Sequence, residues 1–318
     1  MAVYTQVSAE ALGAFLRGFD VGELVSAKGI AEGVENSNYL VDTSEGRFIL
    51  TLYEKRVDEA DLPFFQAMIG HLADHGIAVP RFIADRSGRT LHRLESRPAC
   101  LIEFLSGVSV THPTPAQAEA AGAEMGAMHR ALADFTPERP NTLGPHAWRP
   151  LFERCGRDLD RIAPGLHDSV EKAVDNVLAN WPQDLPRAAI HADLFPDNVL
   201  MLGDRVTGLI DFYFACTDVR AYDLAVMHGA WAFDTTGRTF DAEVGAALLR
   251  GYQARHALLP EERAALPVLA EGAAVRFLLT RAWDWLNTPA DAMVTRKDPL
   301  AYLRRYQFYA EHGGKLFA

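Results

Sequence analysis

The chain has 318 residues, 49% of them apolar and 23% charged, with 31 Lys+Arg against 42 Asp+Glu for a formal net charge of -11. Enough apolar surface is present to offset chain entropy, which excludes a disordered protein, and the length fits one large or two modest domains. The acidic balance argues against a nucleic-acid partner or an anionic-membrane binder, either of which calls for a basic face.

Residues 1–12 lack the basic region and apolar run of a signal peptide, and nowhere do 18 apolar residues follow one another, so the expectation is a cytoplasmic protein with no membrane partner. A short helix is predicted at 8–19. Runs suited to strands follow at 23–30, 38–42 and 47–53, the last two joined by the turn-like Thr43-Ser44-Glu45-Gly46. A helix over 59–75 has Asp58 as N-cap and Gly76 beyond its end, and Leu62, Phe65, Ile69 and Leu72 recur at helical spacing. Two more strands at 81–85 and 98–104, with a hairpin arm at 90–94, complete a small β-rich lobe.

From Thr111 the chain turns helical. Thr114-Pro115-Ala116-Gln117 is a capping box with Pro at the first helical position, opening a helix to about Leu132. Further helices are predicted at 150–162, 167–180, 220–233, 239–255, 261–286 and 298–311. Three apolar runs at 188–191, 199–201 and 206–210 are too short for helices and are bounded by Asp, Pro and Gly, so they read as strands and tight loops. The boundary falls near the segment 103–107, giving lobes of residues 1–105 and 106–318. Cys100, Cys155 and Cys216 are scattered and show no zinc spacing, and neither do His71, His75 and His92.

The informative stretch is His191-Ala192-Asp193-Leu194-Phe195-Pro196-Asp197-Asn198, followed by Ile210-Asp211-Phe212. The pattern His-x-Asp-x4-Asn, then an Asp after an apolar strand, is that of a kinase catalytic loop and metal-binding Asp. Phosphoryl transfer needs a carboxylate to orient the attacking hydroxyl and take its proton, a role that suits Asp193. It also needs hard oxygen ligands for Mg2+ on the ATP phosphates, which suits Asn198 and Asp211. His191 joins the catalytic set by supporting the loop through hydrogen bonds. Gly29 to Asn38 joins two strands and offers backbone N–H groups and small polar side chains, so Gly33, Asn36, Ser37 and Asn38 are the candidate phosphate-covering turn.

These motifs resemble the aminoglycoside-phosphotransferase and choline-kinase superfamily, whose loop typically reads His-Gly-Asp-x-x-x-x-Asn and whose metal Asp sits in Ile-Asp-Phe or Ile-Asp-Trp. Met125-Gly126-Ala127-Met128-His129 and Tyr222-Asp223-Leu224-Ala225 are similar to two helices of that family. Glu32-Gly33-Val34-Glu35-Asn36-Ser37-Asn38-Tyr39 and Arg47-Phe48-Ile49-Leu50-Thr51-Leu52-Tyr53-Glu54 resemble its homoserine kinases. The resemblance implies a two-lobed, protein-kinase-like α+β fold with ATP and Mg2+ in the cleft. It also implies L-homoserine as the small-molecule substrate, phosphorylated on its hydroxyl in threonine biosynthesis. Ile102-Glu103-Phe104-Leu105 resembles the interlobe hinge, which makes Glu103 and Leu105 the candidate adenine contacts.

Thr51 stands where the superfamily usually carries a phosphate-binding Lys; Lys55 and Lys28 are alternatives, each read first as a solvated surface lysine. Arg276, Arg281 and Asp284 lie in a helix that commonly shapes the acceptor pocket in this family. The two arginines are five positions apart and cannot share one face closely, and surface arginines with solvated heads are the default. Two other functions stay open: a kinase of the same superfamily acting on choline, an amino alcohol or an aminoglycoside, and a pseudokinase that binds nucleotide without turnover.

Overall fold

The computed structural model describes residues 4–30, 36–54, 57–288 and 296–318. The chain is α+β and divides into two compact units, Met1–Ser106 and Gly107–Ala318.

The first unit is built on a five-stranded sheet. Its strands are β1 (Leu24–Gly29), β2 (Ser37–Thr43), β3 (Arg47–Leu52), β4 (His92–Leu94) and β5 (Arg97–Glu103), in the order β1-β2-β3-β5-β4, and all described pairs are antiparallel. Period-2 alternation along β2 buries Ser37, Tyr39, Val41 and Thr43 on one face. Helix α1 (Ala9–Leu16) is capped by Ser8, whose side chain accepts the Ala11 N–H, and sets Leu12 and Leu16 against Val41, Leu50, Leu52 and Leu101. The Thr43–Gly46 turn closes as the sequence suggests, with the Thr43 N–H donating to the Gly46 carbonyl. Asp58 caps a short 3-10 turn (Glu59–Asp61) that leads into α2 (Leu62–Asp74), and Gly76 beyond it has φ +78°.

The predicted strand at 81–85 is not a strand. Phe82 makes one isolated bridge to Ile102. Beyond it the chain turns back, because the Asp85 carboxylate accepts the N–H groups of Ser87 and Arg89 and the Ser87 hydroxyl.

The second unit is mainly helical. Its helices are α3 (Pro115–Ala131), α4 (Pro145–Cys155), α5 (Leu166–Asn180), α6 (Arg220–Trp231), α7 (Ala242–Arg255), α8 (Pro260–Asn287) and α9 (Leu300–Leu316). The capping box forms as predicted, Thr114 and Gln117 exchanging side-chain and backbone bonds. Helix α4 starts earlier than expected, at Pro145, and ends in a 3-10 turn. Between α5 and α6 lie two small antiparallel ladders, β6 (Arg187–Ile190) with β9 (Cys216–Val219), and β7 (Val199–Leu202) with β8 (Arg205–Leu209). β9 was not foreseen. The α3–α7 seam is closed by glycine: a Cβ at Gly122 or Gly251 would collide with the Leu248 or Glu119 carbonyl across it. That close approach brings His129 of α3 to Tyr252 of α7.

Candidate active site

The loop from His191 to Asn198 hangs between β6 and β7, and Asp211 stands two residues past the end of β8. His191 is fully buried. Its Nε2 lies 3.0 Å from the Ile210 carbonyl, which can only accept, so Nε2 carries the proton and Nδ1 is left to accept the Asp193 N–H at 3.3 Å. Burial holds the His191 pKa below its usual value, in keeping with a neutral ring. The Ile210 N–H in turn donates to the Asn198 carbonyl at 3.0 Å. Ile210 is thereby clamped between the two ends of the loop, which fixes where Asp211 begins.

Asn198 is buried and spends its amide nitrogen inward, donating to the Asp193 carbonyl at 2.8 Å. Its Oδ1 is thus the atom available to a cation. Together with the carboxylate of Asp211, which is exposed, this offers one neutral and one anionic hard oxygen, a donor set that fits Mg2+. Ala192 and Asp211 both adopt left-handed backbone, φ +63° and +66°. Each costs about 1–2 kcal/mol for a residue with a Cβ, a strain that the surrounding hydrogen bonds must hold in place.

Asp193 is half-buried, and its pKa is raised to about 8. Burial is the main cause; the charges of Asp211 and Asp197 add to it, while Arg276 and Lys297 oppose it. A carboxyl tuned to that range is matched to taking up a proton near neutral pH.

Behind the loop sits a residue to which the sequence reading gave no role. Asp223, fully buried near the start of α6, accepts the His191 N–H (2.8 Å), the Ala192 N–H (2.7 Å) and His129 Nε2 (3.0 Å). His129 Nδ1 meets the Tyr252 hydroxyl at 2.8 Å. Burial alone would raise the Asp223 pKa; the hydrogen bond and charge of His129 and the His191 N–H outweigh it and hold it below the usual carboxylate range. The available signal was an acid in a helix otherwise apolar from Leu224 to Met227.

Arg276 corrects the expectation of a solvated head: it is 2% exposed, donates to the Ala192 carbonyl, and packs over the rings of Phe214 and Phe277 at 5.5 and 4.5 Å. Arg281 is half-buried over the Tyr302 ring at 4.5 Å, so it too is not a free surface charge. Asp284 lies exposed in α8.

The nucleotide candidates lie in the first unit. Gly33 and Lys55 fall outside the described residues. Ser37 is fully buried: its hydroxyl donates to Glu54 Oε1 at 2.7 Å and accepts the N–H groups of Tyr4 and Thr5. That side chain is therefore committed to the N-terminal segment and has no donor left for a phosphate. Asn36 is buried and accepts the Glu54 N–H. Asn38 Oδ1 accepts the Thr51 hydroxyl at 2.7 Å across the β2–β3 pair, which turns the Asn38 amide nitrogen outward. The position of the missing lysine is thus filled by a neutral pair, and Lys28 is exposed on β1. Glu103 is held by Arg81, accepting its N–H at 3.1 Å. Leu105 is half-buried just past the end of β5.

Comparison with known proteins places this arrangement. The sequence pattern of the phosphotransferase enzyme family matches residues 26–268. The chain is 54% identical to homoserine kinase of Nitrobacter winogradskyi over 99% of its own length and 96% of that protein's. It is 54% identical to homoserine kinase of Methylorubrum populi over 97% and 96%. Among solved structures, amicoumacin kinase in complex with AMP-PNP and Ca2+ superposes with a TM-score of 0.72 at 15% identity, covering 96% of this chain and 94% of that one, which establishes the kinase-like fold. The chain belongs to the phosphotransferase enzyme family, as a full-length relative of proteins named homoserine kinase.

Proposed function

We propose that the protein is an ATP-dependent homoserine kinase: it transfers the γ-phosphoryl group of ATP to the hydroxyl of L-homoserine, giving ADP and O-phospho-L-homoserine. The observation that carries this reading is identity of 54% to homoserine kinase across 99% of the chain. The geometry of the second unit supports it. In this reading Asp193 orients the homoserine hydroxyl and accepts its proton as the new O–P bond forms and the bond to the β-phosphate oxygen breaks. His191 and Asp223 hold the loop that carries Asp193, and Asn198 and Asp211 hold Mg2+, which when bound neutralises charge on the phosphates.

On the nucleotide side, the reading keeps the backbone of residues 33–38 for the phosphates and the backbone at Glu103–Leu105 for adenine. Asn36 and Ser37 serve by fixing the start of β2 against Glu54, and Asn38 offers a neutral amide where a lysine is absent. Among the described residues no helix is long and apolar enough to cross a membrane; cytoplasmic action on a free amino acid fits this. The pseudokinase reading is disfavoured by the joint presence of Asp193 and Asn198 on the loop between β6 and β7 and of Asp211 after β8.

The test is ADP release from wild-type protein with Mg2+·ATP and a panel of L-homoserine, L-serine, L-threonine, choline and an aminoglycoside. The expected kcat/KM order is homoserine, then serine or threonine, then choline. Serine is one methylene shorter, and misplacing a reacting hydroxyl by about 1 Å can cost ~100-fold. Choline or an aminoglycoside ahead of homoserine would overturn the substrate and leave the kinase fold standing.

A further inference from the structure

Buried arginines in this protein are not all treated alike. Arg220, mostly buried, has its carboxylate: Glu262 receives it in a bidentate pair at 2.7–3.0 Å. Arg305, on α9 and only 4% exposed, has none among the described residues; there its hydrogen bond runs from Nη2 to the Asp234 carbonyl, and its Nε and Nη1 find no partner. The Asp234 carboxylate lies within reach of the Arg305 charge, but neither it nor that of Asp298 hydrogen-bonds that guanidinium. The Asp234 carboxylate accepts the Thr236 hydroxyl and the N–H groups of Arg238 and Thr239, and that of Asp298 faces Leu300 and Arg304. A guanidinium cannot shed its proton, so a buried one without an anion is costly.

The same spot gathers more donors. Tyr302, 2% exposed, has a hydroxyl with no partner among the described residues, and its ring is flanked by the guanidinium groups of Arg305 at 4.3 Å and Arg281 at 4.5 Å. Arg281 has one long contact, to the Asp298 carbonyl. Cation–ring contacts stabilise the charges in part, but they leave the N–H donors unused.

The cluster also stands beside the catalytic loop. Phe277 touches Tyr302 and Phe195 with ring centroids 5.0 Å apart in each case, and Phe195 is two residues from Asp193. The Asp193 charge acts on both Tyr302 and Arg281. In homoserine the hydroxyl and the carboxylate are separated by four covalent bonds, a reach of about 5 Å when extended.

The geometry points to Arg281, Tyr302 and Arg305 as the site for the α-carboxylate of the amino-acid acceptor. This rests on the reading of the acceptor as homoserine and adds the residues that select for its carboxylate. The anion supplies what the cluster lacks, and a fork of N–H donors suits a planar carboxylate. An acceptor without that group leaves the cations unpaired, which is how such a site rejects it.

The experiment compares kcat/KM for L-homoserine and for 3-aminopropan-1-ol, which is homoserine with the carboxylate replaced by hydrogen, in wild type, Arg281→Gln, Tyr302→Phe and Arg305→Gln. Wild type should favour homoserine by ~100-fold or more, and the ratio should collapse toward one in Arg281→Gln and Arg305→Gln, chiefly through KM for homoserine. Tyr302→Phe removes a single hydroxyl and should lower the ratio by ~5–10-fold; Arg281→Lys should recover part of it. If Arg305→Gln fails to fold, Arg281→Gln and Tyr302→Phe decide. Variants that lose both acceptors equally, with the ratio intact, would overturn the carboxylate site and leave the homoserine reading in place. If wild type does not use homoserine at all, that reading fails, and thermal shift then judges the site. L-Homoserine and L-serine should raise the melting temperature of wild type but not of Arg281→Gln, and no difference between them would overturn it.

Discussion

Around Asp223 the polar groups are matched one to another: two carboxylate oxygens take two backbone N–H groups and an imidazole, whose far nitrogen meets a tyrosine hydroxyl. Around Tyr302, in the same unit and joined to the loop through Phe195 and Phe277, a hydroxyl and two guanidinium nitrogens lack a partner among the described residues. Both clusters are buried, so exposure does not explain the contrast. A satisfied buried network holds one backbone conformation and resists change. An unsatisfied one of a single sign is complete only with an anion added. In the proposed reading the first cluster shapes the loop that carries Asp193, and the second is completed by the substrate carboxylate.

The contrast can be tested from the loop outward. Asp193→Ala should reduce turnover by roughly two to four decades with little change in ATP affinity; near-native turnover at saturation would remove Asp193 from its role. Asp223→Ala should show the largest loss of stability, about 3–5 kcal/mol in urea unfolding, because it strands a buried histidine and two backbone N–H groups. Turnover should fall as well, since the Ala192 backbone loses its anchor. A change below about 1 kcal/mol would mean that the network is not what fixes the loop.

Asp211→Asn separates metal binding from proton transfer. Removal of one anionic ligand should weaken productive Mg2+·ATP binding, and excess Mg2+ should restore part of the activity. Asp193→Ala should show no such rescue, and an equal response in both would merge the two roles. The smallest effect is expected at Ala192, where the family loop carries glycine. Ala192→Gly relieves the left-handed strain and should stabilise the fold by about 0.5–1 kcal/mol in thermal or urea unfolding, with activity within about twofold of wild type. Destabilisation would show that the φ of +63° is not under strain.

The pattern of what the sequence reveals follows the chemistry. His191, Asp193, Asn198 and Asp211 stand out in the sequence because phosphoryl transfer constrains both residue type and spacing within a short stretch of chain, and the structure joins His191, Asp193 and Asn198 by hydrogen bonds. His129 and Asp223 lie in family-like motifs, yet their partnership spans 94 positions and joins α3 to α6, which no local pattern announces. Arg305 carries no motif signal; its guanidinium is buried against Phe233 and the Asp234 carbonyl, just beyond α6. Ser37 looks like a phosphate donor in a small polar segment; its hydroxyl proton goes to Glu54, and its oxygen accepts the Tyr4 and Thr5 N–H groups from more than thirty residues away. β9, Cys-Thr-Asp-Val, is short and carries a buried Asp, so its pairing with β6 leaves no apolar run to read. The strand expected at 81–85 shows the converse: its β-branched and aromatic residues suit a strand, but the Asp85 turn cuts it to one bridge.

The most direct test of the central claim follows the phosphorus. Wild-type protein and Asp193→Ala are incubated with Mg2+·ATP and L-homoserine, ADP is quantified, and the product is observed by 31P NMR. The account predicts one phosphomonoester for each ADP from wild type, its phosphorus coupled to the two γ-methylene protons of homoserine, and almost none from Asp193→Ala over the same interval. ADP release without that ester, or the same ester at the same rate from both proteins, would contradict it.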